Sequence, residues 1–389
     1  MTTVQLRPGG THRVLAGHCW VYDNEIGKIS GPPADGAVVK LLDPRNRFLG
    51  VGIYNSKSQI RVRLLSRRNE EVNTDFLRAR LRAAWEHRQR FSSTDCCRVV
   101  SSEADFLPGL IVDKYGDHLA LQTLTLGMDQ RKAELVTLLV ELLKPRAIIE
   151  RNDAPIRKHE GLSPTRGLLH GESDGHVTVE FGGLKFALNL LEGHKTGFYL
   201  DQQVNYARVA AIAAGKRVLD AFSYMGAFTL FCAKAGATRV LGVEIDEDNV
   251  AAAQANAAAN GLADRVEFRA QNAFDFLSAA VKAGETYDLI ILDPPSFTRT
   301  RANVGEAARG YKEIHVRALK MLGPGGLLAT FCCSHHVTRE MFEQLIAEAS
   351  ADTRHDVRLL ERLSQSPDHP ILPTVPETEY LKGAILQVM

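Results

Sequence analysis

Two cysteines, Cys332 and Cys333, stand where the apolar run from Leu327 to Phe331 ends, and Ser334, His335 and His336 follow them. A thiolate is an intrinsically strong nucleophile, so a cysteine at the point where a strand becomes a loop is a candidate for covalent chemistry. Neighbouring strand residues point to opposite faces, so at most one of the pair enters a site, and the other is a small core residue. A second signal is Asp293-Pro294-Pro295-Ser296-Phe297, directly after the apolar run Leu289 to Leu292. Two prolines stiffen that loop and remove its backbone donors, which directs an acid and an aromatic ring into whatever crevice the strand faces. The two histidines could move protons, but a loop histidine is more often a surface residue, and neither is assigned as a base.

Three further signals fit a ligand that carries a ribose. Asp220-Ala-Phe222-Ser-Tyr-Met-Gly226-Ala-Phe-Thr229 places an acid at a strand end and a glycine where the chain must turn into a helix. The next strand ends at Glu244, an acid at the spacing that accepts hydrogen bonds from ribose hydroxyls, with Asp246 as the alternative. The third strand is followed by Gln271-Asn272-Ala273, where Asn272 is a candidate for an adenine edge. The glycine pattern of a dinucleotide-binding dehydrogenase, G-x-G-x-x-G, is absent from the first loop.

The elements that must position these residues can be read from the rhythm of the chain. From about Lys216, strands at 217–220, 239–244, 266–270, 289–292 and 327–332 alternate with helices near 227–235 and 247–260 and before the last two strands. Such alternation predicts an α/β domain with a parallel sheet covered on both faces, whose ligands bind beyond the carboxyl ends of the strands. Two late strands, 357–363 and 381–389, are joined by a stretch holding Pro367, Pro370, Pro373 and Pro376, as an antiparallel pair at the sheet edge requires. Residues 1–72 read as a small β domain, with strands at 37–42, 48–54 and 60–65. Residues 73–187 read as a central α+β domain that starts with a helix over 75–90 capped by Asn73 or Thr74. It continues with strands at 109–113, 118–123, 147–150 and 177–181 around a helix at 129–143. Residues 188–389 form the third domain.

The net charge is +1, but it is unevenly spread. Residues 1–100 hold 17 Lys and Arg against 9 Asp and Glu, an excess of +8, and the rest of the chain carries −7. Screening confines each charge to about 10 Å at moderate salt, so a basic N-terminal surface meets phosphates even on a neutral molecule. The plain alternative is that Arg78, Arg80, Arg82, Arg88 and Arg90 coat one helix in solvent. No apolar run is long enough to span a membrane, the best being Leu135 to Leu143, broken by Glu141. The start of the chain lacks a secretory pattern, the six cysteines read as reduced thiols, and no Cys or His spacing matches a zinc site. A cytoplasmic protein without a bound metal is expected.

The segment Asp220 to Thr229, Glu244 and Asp293-Pro-Pro-Ser-Phe297 together resemble the successive motifs of class I S-adenosylmethionine (SAM)-dependent methyltransferases. Gly193-His-Lys195-Thr-Gly-Phe-Tyr199-Leu-Asp201-Gln202, Arg309-Gly-Tyr-Lys312 and Cys332-Cys-Ser-His335 are similar to the ribosomal RNA large-subunit methyltransferase I family. The resemblance covers essentially the whole chain. It implies a PUA domain over the basic N-terminal segment, a central α+β domain, and a Rossmann-like methyltransferase domain that transfers a methyl group from SAM to C5 of a cytosine. The N-terminal match is carried by Gly17-His-Cys-Trp-Val-Tyr22 and the β-rich text.

Under that resemblance Cys333 is the nucleophile and Asp293 faces the Watson–Crick edge of the base. Asp220, Phe222, Gly226, Glu244, Asn272 and Asp293 hold the cofactor. Lys195, Tyr199, Arg309 and Lys312 are RNA contacts, and large-subunit ribosomal RNA is the partner, with a second copy of the chain a candidate partner as well. One position departs from the pattern: the family reads Asp-Gln-Arg where this chain has Asp201-Gln202-Gln203, and Arg208 is the candidate substitute for the missing charge. Two rivals keep the same text. A guanine-nitrogen methyltransferase would use the cofactor site without a thiol, and a non-catalytic RNA-binding assembly protein would use a degenerate one.

Overall fold

The computed structural model describes residues 2–193, 196–298 and 301–389, the side chain of Arg301 excepted. The chain forms two compact units. The first comprises Met1–Val179, Leu188–Leu200 and Pro367–Thr378, and the second Glu180–Ala187, Asp201–Ser366 and Glu379–Met389. A two-stranded ribbon, His176–Phe181 with Leu184–Asn189, carries the chain from one to the other. The chain after residue 187 therefore lends two segments, 188–200 and 367–378, to the first unit.

The first unit holds two sheets. Thr3–Leu6, Trp20–Tyr22, Ile26–Ser30, Val38–Leu42, Phe48–Tyr54 and Ile60–Ser66 make a six-stranded sheet closed on Val4, Leu6, Val21, Val39, Leu41 and Val62. The three strands expected there are present, and three more of three to five residues join them. The helix Thr74–Phe91 starts where Asn73 accepts a hydrogen bond from the Phe76 amide, and it buries Leu77, Leu81 and Ala84 against a five-stranded sheet. That sheet runs Thr165–Gly171, Ala147–Asn152, His118–Thr123, Leu110–Tyr115, Cys96–Ser101. The helix expected at 129–143 is two, Leu126–Gln130 and Lys132–Leu143. They break at Arg131, whose guanidinium turns back onto the carbonyls of Gly127 and Gly36.

The arginines of Thr74–Phe91 do not form one solvated coat. Arg82 and Arg90 are exposed, Arg78 pairs with Asp75 and Glu141, and Arg80 lies over the rings of Phe76 and Phe106. Arg88 is fully buried. Its guanidinium makes a bidentate pair with Asp105 at 2.5 and 2.8 Å and donates to the carbonyls of Arg98 and Asp368 at 2.7 and 2.8 Å. Asp368 in turn accepts from the Arg98 amide, so one buried cation ties helix, sheet and the 367–378 segment together. Val375 of that segment lies in the core of the six-stranded sheet, and a Cβ at Gly17 would strike Thr374 at 2.4 Å.

The second unit is the expected α/β domain. Its strands are β1 (Arg217–Ala221), β2 (Arg239–Glu244), β3 (Val266–Ala270), β4 (Tyr287–Leu292), β5 (Leu322–Cys332), β6 (Val357–Ser364) and β7 (Lys382–Val388). Its helices are α1 (Gln203–Ala210), α2 (Ala227–Lys234), α3 (Glu247–Ala259), α4 (Ala273–Ala283), α5 (Val304–Lys320) and α6 (Arg339–Thr353). The sheet order is β3-β2-β1-β4-β5-β7-β6. β1 to β5 are parallel, and β7 runs antiparallel to both β5 and β6, so the late pair does close the sheet.

Alternate strand residues pack on opposite faces. Leu219, Val243, Ile290, Leu328 and Cys332 share a core with Tyr311, Ile314 and Ala318 of α5 and Phe342 of α6, whereas Phe331 stacks on Phe228 of α2 at 5.3 Å. All five parallel strands end on one edge, and the order reverses between β1 and β4, the place where such sheets open a crevice.

Breaking a buried ion pair leaves the partner charge stranded, at roughly 3–5 kcal/mol. Arg88→Met should lower the stability of the first unit by about that amount, read as a shifted urea midpoint. A loss below about 1 kcal/mol would show that Asp105 finds another partner.

Candidate active site at the strand ends

The loop after β1 is strained. Phe222, Tyr224 and Gly226 all have positive φ, at 76, 48 and 81°. Two of the three are not glycine, and such backbone persists only where its surroundings fix it. Here the amides of Phe222 and Ser223 both donate to the Val243 carbonyl at 2.9 Å, and the Tyr224 amide donates to Glu244 Oε2 at 2.9 Å. Gly226 is required by packing as well as by φ, since a Cβ there would meet the Phe268 ring at 2.8 Å.

Asp220 is fully buried at the end of β1. Its Oδ2 accepts from the Thr229 amide and hydroxyl at 3.0 and 2.7 Å. Burial pushes its carboxyl up to about 7 against those two hydrogen bonds, and Glu244 adds to the rise. Asp220 Oδ1 and the Ser223 hydroxyl are buried with no hydrogen-bond partner among the described residues. Orphaned polar atoms of this kind are costly unless a ligand satisfies them.

Half-buried Glu244 accepts from the Tyr224 amide on one oxygen and from the Ile245 and Asp246 amides on the other, at 2.9 and 3.1 Å. A carboxylate has about four lone-pair sites, so acceptor capacity remains for a diol. Asp246 is exposed and caps α3 through the amides of Asp248 and Asn249. Asn272 similarly caps α4 through Phe274 and Asp275, which leaves its amide N–H groups as the donors it can offer a base. The rings of Phe222, Phe274, Phe297 and Tyr311 follow one another at 6.1, 5.6 and 4.5 Å, an apolar row along the same edge.

Beyond β4, half-buried Asp293 accepts from Gln202 Nε2 at 3.0 Å, and Gln202 accepts from Asn205, which also reaches the Ser364 carbonyl. Gln202 belongs to the Asp201-Gln202 motif, but its hold on Asp293 was not legible there, because the two are 91 positions apart. Cys332 is buried in the core, whereas Cys333 is partly exposed and directs its Sγ to the Pro294 carbonyl at 3.8 Å. The structure thus brings Cys333 and Asp293 onto adjoining loops. None of the six cysteines forms a disulfide, and no cluster suited to a metal ion exists among the described residues.

Other expected site residues stand elsewhere. Tyr199 is half-buried in the first unit, and Lys195 lies outside the described residues. Lys312 faces Glu348 and Asp352 of α6 at 3.3 and 3.1 Å, so its charge is spent locally, while Arg309 is exposed on a groove with Lys282 and Lys320. Arg208 pairs with Glu361 on the surface at 2.9 Å, which leaves the charge missing at Gln203 without a substitute from that residue. His335 is exposed and lies 5.5 Å from the ring of Tyr380.

Three residues to which sequence patterns assign no role, Ser296, Tyr311 and Lys382, converge on Ser334, next to the thiol. The Tyr311 hydroxyl and the Ser296 hydroxyl each lie 3.0 Å from Ser334 Oγ, and the Lys382 ammonium donates to the Ser334 carbonyl at 2.8 Å. His315 is buried against the Thr330 hydroxyl at 2.8 Å, and burial takes its pKa down to about 3. A lone Lys beside the apolar run of β7 was the one available signal for Lys382.

A family described as S-adenosylmethionine-dependent methyltransferase matches residues 164–385, and a PUA-like domain matches residues 4–67. Two solved structures cover all of this chain and are covered by it in full, at 21% identity. One, from Streptococcus mutans, is assigned to the SAM-dependent methyltransferases and has a TM-score of 0.85; the other was solved with SAH and has a TM-score of 0.86. With the strand-end geometry, these define a SAM-dependent methyltransferase fused to a PUA-like domain. Ribosomal RNA large subunit methyltransferase I of Tolumonas auensis is 37% identical over the full length of both chains, and that of Shewanella denitrificans 38% identical over 99% of both. The chain belongs to the ribosomal RNA large subunit methyltransferase I family.

The residues at the strand ends fit the cofactor. Glu244→Ala should weaken SAM binding by about 1–3 kcal/mol, the scale for unpaired polar groups. Calorimetry would measure it, and equal affinity would remove Glu244 from the cofactor site.

Proposed function

We propose that this enzyme methylates C5 of a cytosine in large-subunit ribosomal RNA, with Cys333 as nucleophile and Asp293 at the base. The observation that carries this reading is the contrast between the two cysteines: Cys332 is sealed in the core, and Cys333 is partly exposed beside Pro294. SAM supplies an electrophilic methyl group on a sulfonium centre. C5 of cytosine is too weak a nucleophile to take it unaided. Attack of the Cys333 thiolate on C6 forms an S–C6 bond and places electron density on C5. C5 would take the methyl group as the sulfur–methyl bond of the sulfonium breaks and leaves a neutral thioether; the C5 proton then leaves to a base, the C5–C6 double bond returns, and the S–C6 bond breaks to release the thiolate. The Asp293 carboxyl, held by Gln202, is suited to the N3 and amino edge of the ring, where charge builds as C6 is attacked.

In this reading Asp220, Phe222, Gly226, Glu244 and Asn272 hold the cofactor, and residues 1–72, 73–187 and 188–389 act as RNA-binding, central and catalytic domains. RNA affinity comes from the first unit. Arg68 and Arg82 are exposed, and no carboxylate pairs with either among the described residues. Arg67, Arg68 and Arg80 line a cleft of about 490 Å³ with Phe76 and Phe106. No described helix is long and apolar enough to cross a membrane.

Cys333→Ala should abolish turnover and leave SAM affinity nearly intact, while Cys332→Ala remains active. RNA with 5-fluorocytosine at the target should trap the wild-type enzyme, because fluorine cannot leave C5 as a proton. Methylation by Cys333→Ala, or no adduct with the fluorinated RNA, would replace this mechanism with guanine-nitrogen methylation.

Arg68→Gln with Arg82→Gln should weaken RNA binding and reduce the slope of log K against log salt by roughly 0.7–0.9 for each phosphate that is no longer neutralised. Titrations at several salt concentrations test this, and an unchanged slope would place the RNA elsewhere.

A further inference from the structure

Lys382 opens β7 directly opposite Cys332 of β5, and its side chain is buried, at 3% exposure for the residue. The ammonium donates to the carbonyls of Ser334 and Tyr380 at 2.8 and 2.9 Å. Among the described residues no carboxylate pairs with it. The nearby acid, Glu379, is taken by Arg339 of α6 at 2.9 Å. A buried ammonium held only by neutral acceptors is costly unless an opposite charge forms beside it.

The groups that face this position come from several elements. Burial, the largest effect, lowers the pKa of Lys382, whereas Cys332 at the end of β5, Cys333 just after it and Glu379 favour its charged form and Arg339 opposes it. From α5, Tyr311 also faces both cysteines, and burial with their influence raises its pKa, so it stays a neutral phenol. The His335 ring lies 5.5 Å from that of Tyr380, tilted by 37°, and Asp293 stands on the adjoining β4 loop. Lys382 is the cation of this set whose charge no acid consumes. Its Ser334 acceptor is the carbonyl of the residue after Cys333, so the same contact pins the turn that presents the thiol.

We propose that Lys382 is a positioning residue for Cys333: its buried ammonium balances the thiolate that forms when Cys333 gives its proton to solvent, and its bond to the Ser334 carbonyl fixes where that thiolate points. This rests on the reading of Cys333 as nucleophile, but it is tested on the thiol itself and without turnover.

The measurement is the pH dependence of Cys333 alkylation by iodoacetamide on the full chain, read on the Cys333 peptide by mass spectrometry for wild type, Lys382→Gln and Lys382→Arg. An ordinary thiol titrates near pH 8.5. The wild-type midpoint should lie below that, Lys382→Gln should raise it by about one pH unit or more, and Lys382→Arg should keep it close to wild type. Methylation at neutral pH should fall at least about tenfold in Lys382→Gln with the SAM dissociation constant unchanged, and it should recover as pH rises. A wild-type midpoint at or above the ordinary thiol value overturns the proposal with no variant needed. So does a Lys382→Gln protein that binds SAM and keeps the wild-type midpoint. Activity in Cys333→Ala would instead defeat the nucleophile assignment and leave the alkylation result standing, so the two failures are distinguishable.

Discussion

Ending five parallel strands on one edge leaves the first amides of each following loop or helix without an acceptor, and the acceptors this chain supplies shape everything at that edge. Asp220 serves the start of α2 through Thr229, Asp246 the start of α3 and Asn272 the start of α4, while Glu244 holds the amides of Tyr224, Ile245 and Asp246. These are the side chains that sequence patterns associate with a cofactor, and each is first a structural acceptor. The positive φ of Phe222 and Tyr224 is tolerable because Val243 and Glu244 fix it from the next strand. What remains for a ligand is residual capacity: a lone pair of Glu244, amide donors of Asn272, and Oδ1 of Asp220, which has no partner among the described residues.

The period of two along a strand then decides the chemistry at β5. Thr330 and Cys332 fall on the face covered by α5 and α6, and Phe331 falls on the face of α2. A one-residue slip of register would exchange the two cysteines. The register is held where β5 pairs with β7, Cys332 opposite Lys382, so the residue that balances charge near the thiol also belongs to the ladder that fixes which thiol is presented.

Much of this was legible in the sequence because it depends on local periodicity. The α/β alternation after Lys216, a helix cap at Asn73 or Thr74, and the strand ends at Glu244 and Leu292 follow from patterns a few residues long, whereas the cap that Asn272 supplies was not read there. What was not legible depends on distant partners. Arg88 sits at helical spacing with exposed arginines, and Asp105 with the carbonyls of Arg98 and Asp368, the last 280 positions away, draw it inside. Arg208 looked available for the charge missing at Gln203 until Glu361 of β6 met it. The return of 367–378 to the first unit was invisible because its prolines read equally well as a turn between two edge strands.

The same distinction between counted and committed residues bears on how the N-terminal region meets nucleic acid. Its +8 excess suggests a broad basic surface, yet Arg61 pairs with Asp23, Arg63 with Glu103 and Glu160, Arg88 with Asp105, and Arg98 with Asp113. Asp113 is fully buried, and Arg98 and Thr196 outweigh that burial to hold its carboxyl below the usual range, so this pair stays charged and closed. Pairing within the fold removes those arginines from the set that can displace counterions from a phosphate backbone. In the proposed reading, affinity for RNA then rests on the few cations that no acid pairs among the described residues, and so many spent charges are better suited to holding a rigid surface than to a strong general pull. By the same proposed reading, discrimination among nucleotides comes from the strand-end site, where a base taken out of its stack would meet Asp293 and Cys333.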